Sequence, residues 1–268
     1  MPWGTIRSDP KRICAALKIA TWNVNGIRAR QLQFCDWVTQ EQPDVVCLQE
    51  LKAELYQIPP QCHLDEYHAF FHGLKAYSGV SLHVKKTLTV EKPAFGHPAF
   101  DMEARIVQAE VGDTVFASVY VPNGNKNYPA KVDFVRRLVA WAREVHQAGK
   151  KLVLCGDMNI THTDRDVHPR ERRPGMIGQR PEERELFSAM LGQHLVDVGR
   201  KLEPDNDAYF TWWAPWRNMK QRNIGWRLDY VLASPSIAAK AVSCPVLREV
   251  GTSDHGPVML TTATVNRQ

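Results

Sequence analysis

The chain has 268 residues, 44% hydrophobic and 24% charged, with a net charge of +5 and a pI of about 8.9. That is ordinary for a soluble protein with one large α/β domain or two small ones, and the mild basic excess permits a polyanionic partner without demanding one. No apolar run approaches the ~20 residues of a membrane span, and none of the six cysteines stands in a C-x-x-C pair, which argues against a thiolate zinc site.

Residues 1–17 mix Pro, Gly, Asp, Lys and Arg and lack a secretory apolar stretch. They read as a disordered or irregular tail ahead of a single domain over residues 18–268. The first strand is expected at Lys18–Trp22, a helix at Ala29–Gln40 and a second strand at Val45–Gln49. Gly79–Val84, Ala104–Ala109 and Val115–Val121 follow as strands, the last two joined by Val111-Gly112-Asp113-Thr114. That junction reads as a hairpin, so the sheet is at least partly antiparallel and mixed sheets with helices outside are favoured. Ala130–Gln147 is the clearest helix: Val132, Val135, Leu138, Val139, Ala142 and Val145 share one face, with Pro129 before it and Gly149 after. Leu152–Cys155 is a strand and Pro181–Leu191 a helix opening on two acids, Glu182 and Glu183, at its positive end. Asp229–Leu232 and Pro257–Thr262 complete the strands. Cys47 and Cys155 lie in apolar runs and read as reduced core residues, which points to the cytoplasm.

Polar residues recur where these strands end: Asn23 and Asn25, Glu50, Tyr120, Asp157 and Asn159, Asp229, then Asp254-His255 before the last strand. Strand ends at one edge of a sheet converge on a site even when far apart in sequence. Glu50 with a second carboxylate such as Asp254 offers hard oxygen ligands for Mg²⁺, or Mn²⁺ in its place. His255 can stabilise charge or move a proton; Asn23, Asn159 and Tyr120 can position a phosphate, and Asp157 can orient or deprotonate water. Singly, each has a plain alternative: a turn for Gly-Asp-x-Asn, an ion pair for Glu50, a surface turn for Asp254-His255, a half-buried strand position for Tyr120.

Together and in order, Trp22-Asn23-Val24-Asn25-Gly26-Ile27-Arg28, Leu48-Gln49-Glu50-Leu51-Lys52, Tyr77-Ser78-Gly79-Val80, Tyr120-Val121-Pro122-Asn123-Gly124, Gly156-Asp157-Met158-Asn159, Pro181-Glu182-Glu183-Arg184, Gly225-Trp226-Arg227-Leu228-Asp229-Tyr230 and Ser253-Asp254-His255-Gly256-Pro257 resemble the exonuclease III type of apurinic/apyrimidinic (AP) endonuclease. The likeness runs from about Lys18 to Thr262. Asn, Glu, Asp-x-Asn and Ser-Asp-His belong to the wider endonuclease/exonuclease/phosphatase superfamily, whereas the first and seventh strings mark its DNA-repair branch. The resemblance implies an α/β (α+β) fold, a four-layer αββα sandwich of two mixed sheets flanked by helices. It implies that Glu50 binds the divalent ion with Asn25, Asp254 or both beside it. Asn23, Asn159, His255 and Tyr120 would surround the scissile phosphate, Asp157 would serve the attacking water, Asp229 would orient His255, and Lys52 would hydrogen-bond near the metal. The implied reaction cuts the phosphodiester 5′ to an abasic site; blocked 3′-end removal and 3′–5′ exonuclease action are family side activities.

From Ala208 to Leu228 the basic residues Arg217, Lys220, Arg222 and Arg227 interleave with Tyr209, Phe210, Trp212, Trp213, Trp216 and Trp226, with no acid. That pattern suits phosphate contacts with stacking or wedging at a duplex, against the alternative of a core strand followed by a basic loop. By resemblance, Phe210, Trp212, Trp226 and Leu228 match the pocket for a flipped-out abasic sugar, Trp216 the wedge, and Gly178 a second DNA-contacting loop. Arg28, Arg30, Tyr77, Asn123, Asn125 and Lys126 are further backbone-contact candidates, so the target is a lesion or end rather than a base sequence. The partner expected is double-stranded DNA with abasic sites or blocked 3′ ends, bound by a monomer. The rivals are a 3′-end-processing exonuclease without strong AP cleavage, a non-DNA phosphodiesterase or phosphatase of the same superfamily, and a catalytically dead DNA-binding relative.

Overall fold

The computed structural model describes residues 16–74 and 77–263; residues 1–15 of the expected tail, Cys14 among them, lie outside the described residues. In chain order the elements are β1 (Lys18–Asn23), α1 (Ile27–Glu41), β2 (Val45–Gln49), β3 (Tyr67–Leu74), β4 (Tyr77–Lys85), β5 (Phe95–Gly96), β6 (Ile106–Val111), β7 (Thr114–Tyr120), α2 (Tyr128–Gln147), β8 (Lys151–Asp157), α3 (Pro181–Leu191), β9 (Val196–Asp197), α4 (Val198–Leu202), β10 (Asp229–Ala233), α5 (Pro235–Ala238), β11 (Ala241–Ser243) and β12 (Val258–Thr262).

They form two six-stranded mixed sheets, ordered β11-β12-β1-β2-β4-β3 and β5-β6-β7-β8-β10-β9. Side-chain alternation explains the layering, because successive residues of a strand point to opposite faces. Ile19, Val45 and Cys47 of one sheet meet Val153, Cys155 and Val231 of the other in the central layer. Their neighbours Ala20, Val46 and Leu48 turn outward under Phe34, Trp37 and Val38 of α1. Leu152, Leu154 and Leu232 turn the other way, beneath Val135, Leu138 and Val139 of α2 and Phe187 of α3. The result is the four-layer αββα sandwich. Among the described residues, no helix is long and apolar enough to cross a membrane.

The hairpin is present, with Val111 opposite Thr114 and Gly112 at φ 63° taking the left-handed position of the turn. β6 starts at Ile106 rather than at Ala104, because the Asp101 carboxylate accepts the backbone N–H groups of Arg105 and Ile106 and Ala104 is turned to φ 54°. The Asn127 side chain caps α2 by accepting from Ala130 N at 3.1 Å. Four strands lack a sequence signal: the edge strand β3 and the short β5, β9 and β11.

Candidate active site

Register gathers the polar strand ends at one edge of the sandwich. Parallel pairing of β1 with β2 sets Asn23 beside Gln49, with Glu50 next along. Parallel β7 and β8 end together at Tyr120 and Asp157, and antiparallel β10 brings Asp229 opposite Asp157. Only glycine fits just before Asp157: a Cβ on Gly156 (φ 148°) would lie 1.9 Å from the Val119 carbonyl oxygen. Glu50, Lys52, Asn25 and Asn159 all take left-handed φ values of 45–52°, so local strain accompanies the turning of these side chains into the site.

The resulting network is continuous. The Asn23 amide donates to Glu50 Oε1 and Asp157 Oδ2, each at 2.9 Å, and its oxygen accepts from Asn25 N at 3.0 Å. Lys52 Nζ reaches Glu50 Oε2 at 2.7 Å and Asn25 Oδ1 at 2.5 Å, while Asn25 Nδ2 donates to Asp254 Oδ1 at 2.7 Å. Asp254 Oδ2 accepts from Trp212 Nε1 at 3.0 Å. Asn159 donates its backbone N–H to Asp157 Oδ1 at 2.9 Å and its amide to the Val121 carbonyl at 2.9 Å. His255 Nδ1 lies 2.8 Å from Asp229 Oδ2, and its Nε2 lies 3.9 Å from Asp157 Oδ2.

Electrostatics follow from burying so many carboxylates together. Burial, with Asp229 and Glu50 nearby, pushes Asp157 up to about 7 against the pull of His255. Burial disfavours the charge on His255, but Asp229, then Asp157 and Asp254, raise it to about 10. For Glu50 burial is outweighed by hydrogen bonds from Asn23 and Lys52 and by the His255 charge, which hold it below its usual value. Burial and the charges of Glu50 and Asp157 raise Tyr120, keeping it a phenol. The Arg105 guanidinium lies 4.9 Å over its ring.

Glu50, Asp157 and His255 each bring a donor atom within 4.8 Å of the others. Two of the three are carboxylates, and Asn25 and Asp254 add oxygens alongside Glu50, a hard donor set that fits a divalent ion. His255, held against Asp229, serves better as a proton carrier than as a ligand.

These residues open into a cleft of ≈ 670 Å³ whose other wall is Trp212, Trp226 and Leu228. The two indoles meet edge to face, 5.6 Å between centroids. Asn123, Asn125 and Arg180 also line the cleft, with Met176 and Ile177, which sequence reasoning missed. Arg180 immediately precedes the Pro-Glu-Glu-Arg string and stacks over Tyr128 at 4.3 Å. Another missed residue, Lys131, is buried between Glu183 Oε1 (2.5 Å) and the Asn159 carbonyl (2.7 Å), and so fixes the Asn159 turn.

Arg28, Tyr77, Lys126 and Trp216 are exposed, Trp216 to 58%, but none of them lines this cleft; Tyr77 and Lys126 line a neighbouring depression that shares Asn123 with it. Arg30 is half-buried, donating to the Asn25 carbonyl at 2.8 Å. Three sequence assignments are corrected. Arg227 is 1% exposed and chelated by Asp166 and Asp197, with N–O distances of 2.6–2.9 Å, so it holds the loop from beneath and cannot reach DNA. Gly178 is buried: its N–H goes to Glu183, its carbonyl accepts from Thr161, and a Cβ there would crowd Trp226 at 3.1 Å, so it seats the cleft wall and makes no contact itself. Phe210 packs with Trp213 and Met219 in a core cluster behind Trp212 and does not itself line the cleft.

The sequence pattern of the Endonuclease/Exonuclease/phosphatase family matches residues 20–255. An exodeoxyribonuclease of Bacillus subtilis is 31% identical over 91% of this chain and 98% of its own length. The DNA repair nuclease APEX1 of Danio rerio is 33% identical, covering 92% of this chain and 82% of its own. The structure of an AP endonuclease from Archaeoglobus fulgidus superposes with a TM-score of 0.82 at 29% identity, over 92% of this chain and 99% of that one.

Proposed function

The chain belongs to the endonuclease/exonuclease/phosphatase family, and on that premise we propose that it is a DNA-repair AP endonuclease that hydrolyses the phosphodiester 5′ to abasic sites in duplex DNA. The products are a 3′-hydroxyl and a 5′-deoxyribose phosphate, and 3′–5′ exonuclease and 3′-phosphodiesterase or phosphatase action accompany it. One observation carries this reading: the carboxylate–imidazole–amide network shares its cleft with the apolar wall of Trp212, Trp226 and Leu228. A phosphate group and a flipped-out sugar without a base need those two surfaces side by side.

Asn23 and the Asn159 backbone fix the Asp157 carboxylate, which aligns a water and receives its proton as the water oxygen bonds to phosphorus. The P–O3′ bond breaks, and O3′ leaves and takes a proton from solvent water to become the 3′-hydroxyl. His255, oriented by Asp229, presents Nε2 to the cleft and stabilises charge on the phosphoryl oxygens, with Asn159 and the Tyr120 hydroxyl donating alongside. Glu50, with Asn25 and Asp254 beside it, would hold a divalent ion, whose chemistry there would be neutralisation of phosphate charge; the oxygen donors suit Mg²⁺, with Mn²⁺ able to substitute. Arg28, Arg30, Tyr77, Asn123, Asn125 and Lys126 hold the backbone and Trp216 enters the helix. The enzyme acts as a monomer.

The exodeoxyribonuclease relative favours a second reading, 3′-end processing without strong AP cleavage. A duplex with one abasic analogue and a second with a recessed, blocked 3′ end separate the two. Cutting of the first directly 5′ to the lesion, leaving an end that a polymerase extends, supports the AP endonuclease; turnover of the second alone replaces it with the end-processing enzyme.

A further inference from the structure

A second cluster of metal-binding side chains lies outside the catalytic cleft. His72 of β3, His97 just after β5, and Asp101 bring one donor atom each within 4.8 Å of one another. None of the three lines the cleft. β3 is the outer strand of one sheet and β5 the outer strand of the other, so the cluster bridges the two sheets at the open edge of the sandwich. Phe70 and Phe95, two residues before each histidine, stack across the same seam at 5.6 Å.

Two further features set the cluster apart from a chance meeting of polar groups. The Asp101 carboxylate has 0% side-chain exposure, and among the described residues its one ion-pair neighbour is His72, whose Nδ1 lies 3.6 Å away. Its oxygens otherwise accept the backbone N–H groups of Glu103, Arg105 and Ile106, neutral donors at 2.7–3.2 Å. Those backbone donors lock the carboxylate in place, so its position beside the two histidines is preset rather than a loose surface arrangement. The second feature is the histidine pair, with ring centroids 4.3 Å apart and planes at 32°. His72 Nδ1 and His97 Nδ1 each face a backbone carbonyl, of Ile106 at 3.2 Å and Pro98 at 3.3 Å. Carbonyl partners of this kind orient metal-ligating histidines.

We propose that His72, His97 and Asp101 form a binding site for a divalent transition-metal ion, Zn²⁺ in the first instance, that staples the outer strands of the two sheets. Two imidazole nitrogens and one carboxylate oxygen select Zn²⁺, Co²⁺ or Ni²⁺ over Mg²⁺, which takes oxygen donors. The exposure of His97 leaves room for a water as fourth ligand. The ion neutralises Asp101 and ties β3 to β5, stabilising the folded state by mass action.

The test is equilibrium dialysis of the full, tag-free chain against Zn²⁺ with Mg²⁺ in large excess, paired with thermal melts and with visible absorption of the Co²⁺ form. The parent is expected to bind one Zn²⁺ at this site and to melt higher with it. His97→Ala changes an exposed side chain and should weaken that binding by at least about 10-fold, abolish the melt shift and bleach the Co²⁺ band. Glu50→Gln should leave all three intact. Zn²⁺ binding that is unchanged in His97→Ala, or that disappears in Glu50→Gln, overturns the proposal, the second result assigning the ion to the catalytic centre.

Discussion

Asp229 Oδ2 lies 2.8 Å from His255 Nδ1, while its other oxygen is buried with no hydrogen-bond partner among the described residues. The two side chains are 0% and 5% exposed, so this bond sets the imidazole's orientation and favours its charged form with little competition from water. The consequence is an Nε2 aimed at the cleft beside Asp157. Asp229→Asn keeps the shape and removes the charge. Single-turnover incision should fall by about 10² to 10⁴-fold with DNA affinity little changed. A rate within a few-fold of the parent would remove His255 from the chemistry.

Glu50 joins the two halves of the site, tied to Asn23 on one oxygen and to Lys52 on the other. Glu50→Gln preserves hydrogen bonding to Asn23 and deletes the anionic ligand. Incision should become undetectable or require far more Mg²⁺, while fluorescence anisotropy still reports duplex binding. Unchanged Mg²⁺ dependence would show that the ion is held elsewhere.

Arg227 and Asp166 form the buried pair that supports the Trp-rich segment, with Arg200 as a third member. Arg227→Ala removes the ion-pair partner of Asp197 and leaves Asp166 with Arg200 alone, and should cost about 3–5 kcal/mol, read from denaturant unfolding. Burial raises the Asp166 pKa, but Arg227 and Arg200 outweigh it and bring the group down to about 2 from an ordinary 3.8. A depressed carboxylate contributes stability above its unfolded pKa and loses it as pH falls through the folded one. The pair should therefore contribute a pH-dependent increment of about 2–3 kcal/mol that is full above about pH 4 to 5 and gone near pH 2. Asp166→Asn should flatten that part of the stability profile; an unaltered profile between pH 5 and 2 would contradict the assignment.

Trp216 is the large apolar side chain most exposed on this basic loop, next to Arg217. Trp216→Ala should change unfolding free energy by no more than about 0.5 kcal/mol. It should still weaken binding to abasic duplex several-fold, with the salt dependence preserved. Arg222→Ala instead should lower the slope of log K against log salt by about one. If Trp216→Ala binds abasic duplex as the parent does, the wedge assignment fails.

The hairpin at Val111-Gly112-Asp113-Thr114 and the mixed sheets were legible in local turn and strand signals, but the four layers came only with the family resemblance, because which face of a strand meets the other sheet, Ile19 or Ala20, is decided by contacts distant in sequence. The residues that meet at the site were legible because they lie at or beside strand ends: Asn23, Tyr120 and Asp157 close β1, β7 and β8, Glu50 follows β2, and Asp229 opens β10. β3 was not, since Tyr-His-Ala-Phe-Phe-His-Gly-Leu mixes apolar and polar residues on both faces of an edge strand. Arg227 misled because its partners, Asp166 and Asp197, lie 61 and 30 residues away, and a basic residue among tryptophans looks the same in sequence whether it faces DNA or a buried acid. Lys131 and Glu183 escaped for the same reason, each sitting on a different helix.

The most direct test of the central claim is incision of a duplex carrying one abasic analogue, run with Mg²⁺ and with EDTA alongside an undamaged duplex of the same sequence. One cut directly 5′ to the lesion, present with Mg²⁺, lost in EDTA and absent from the undamaged duplex, is the expected result. Tight binding without cutting, or shortening from the 3′ end alone, would contradict the claim.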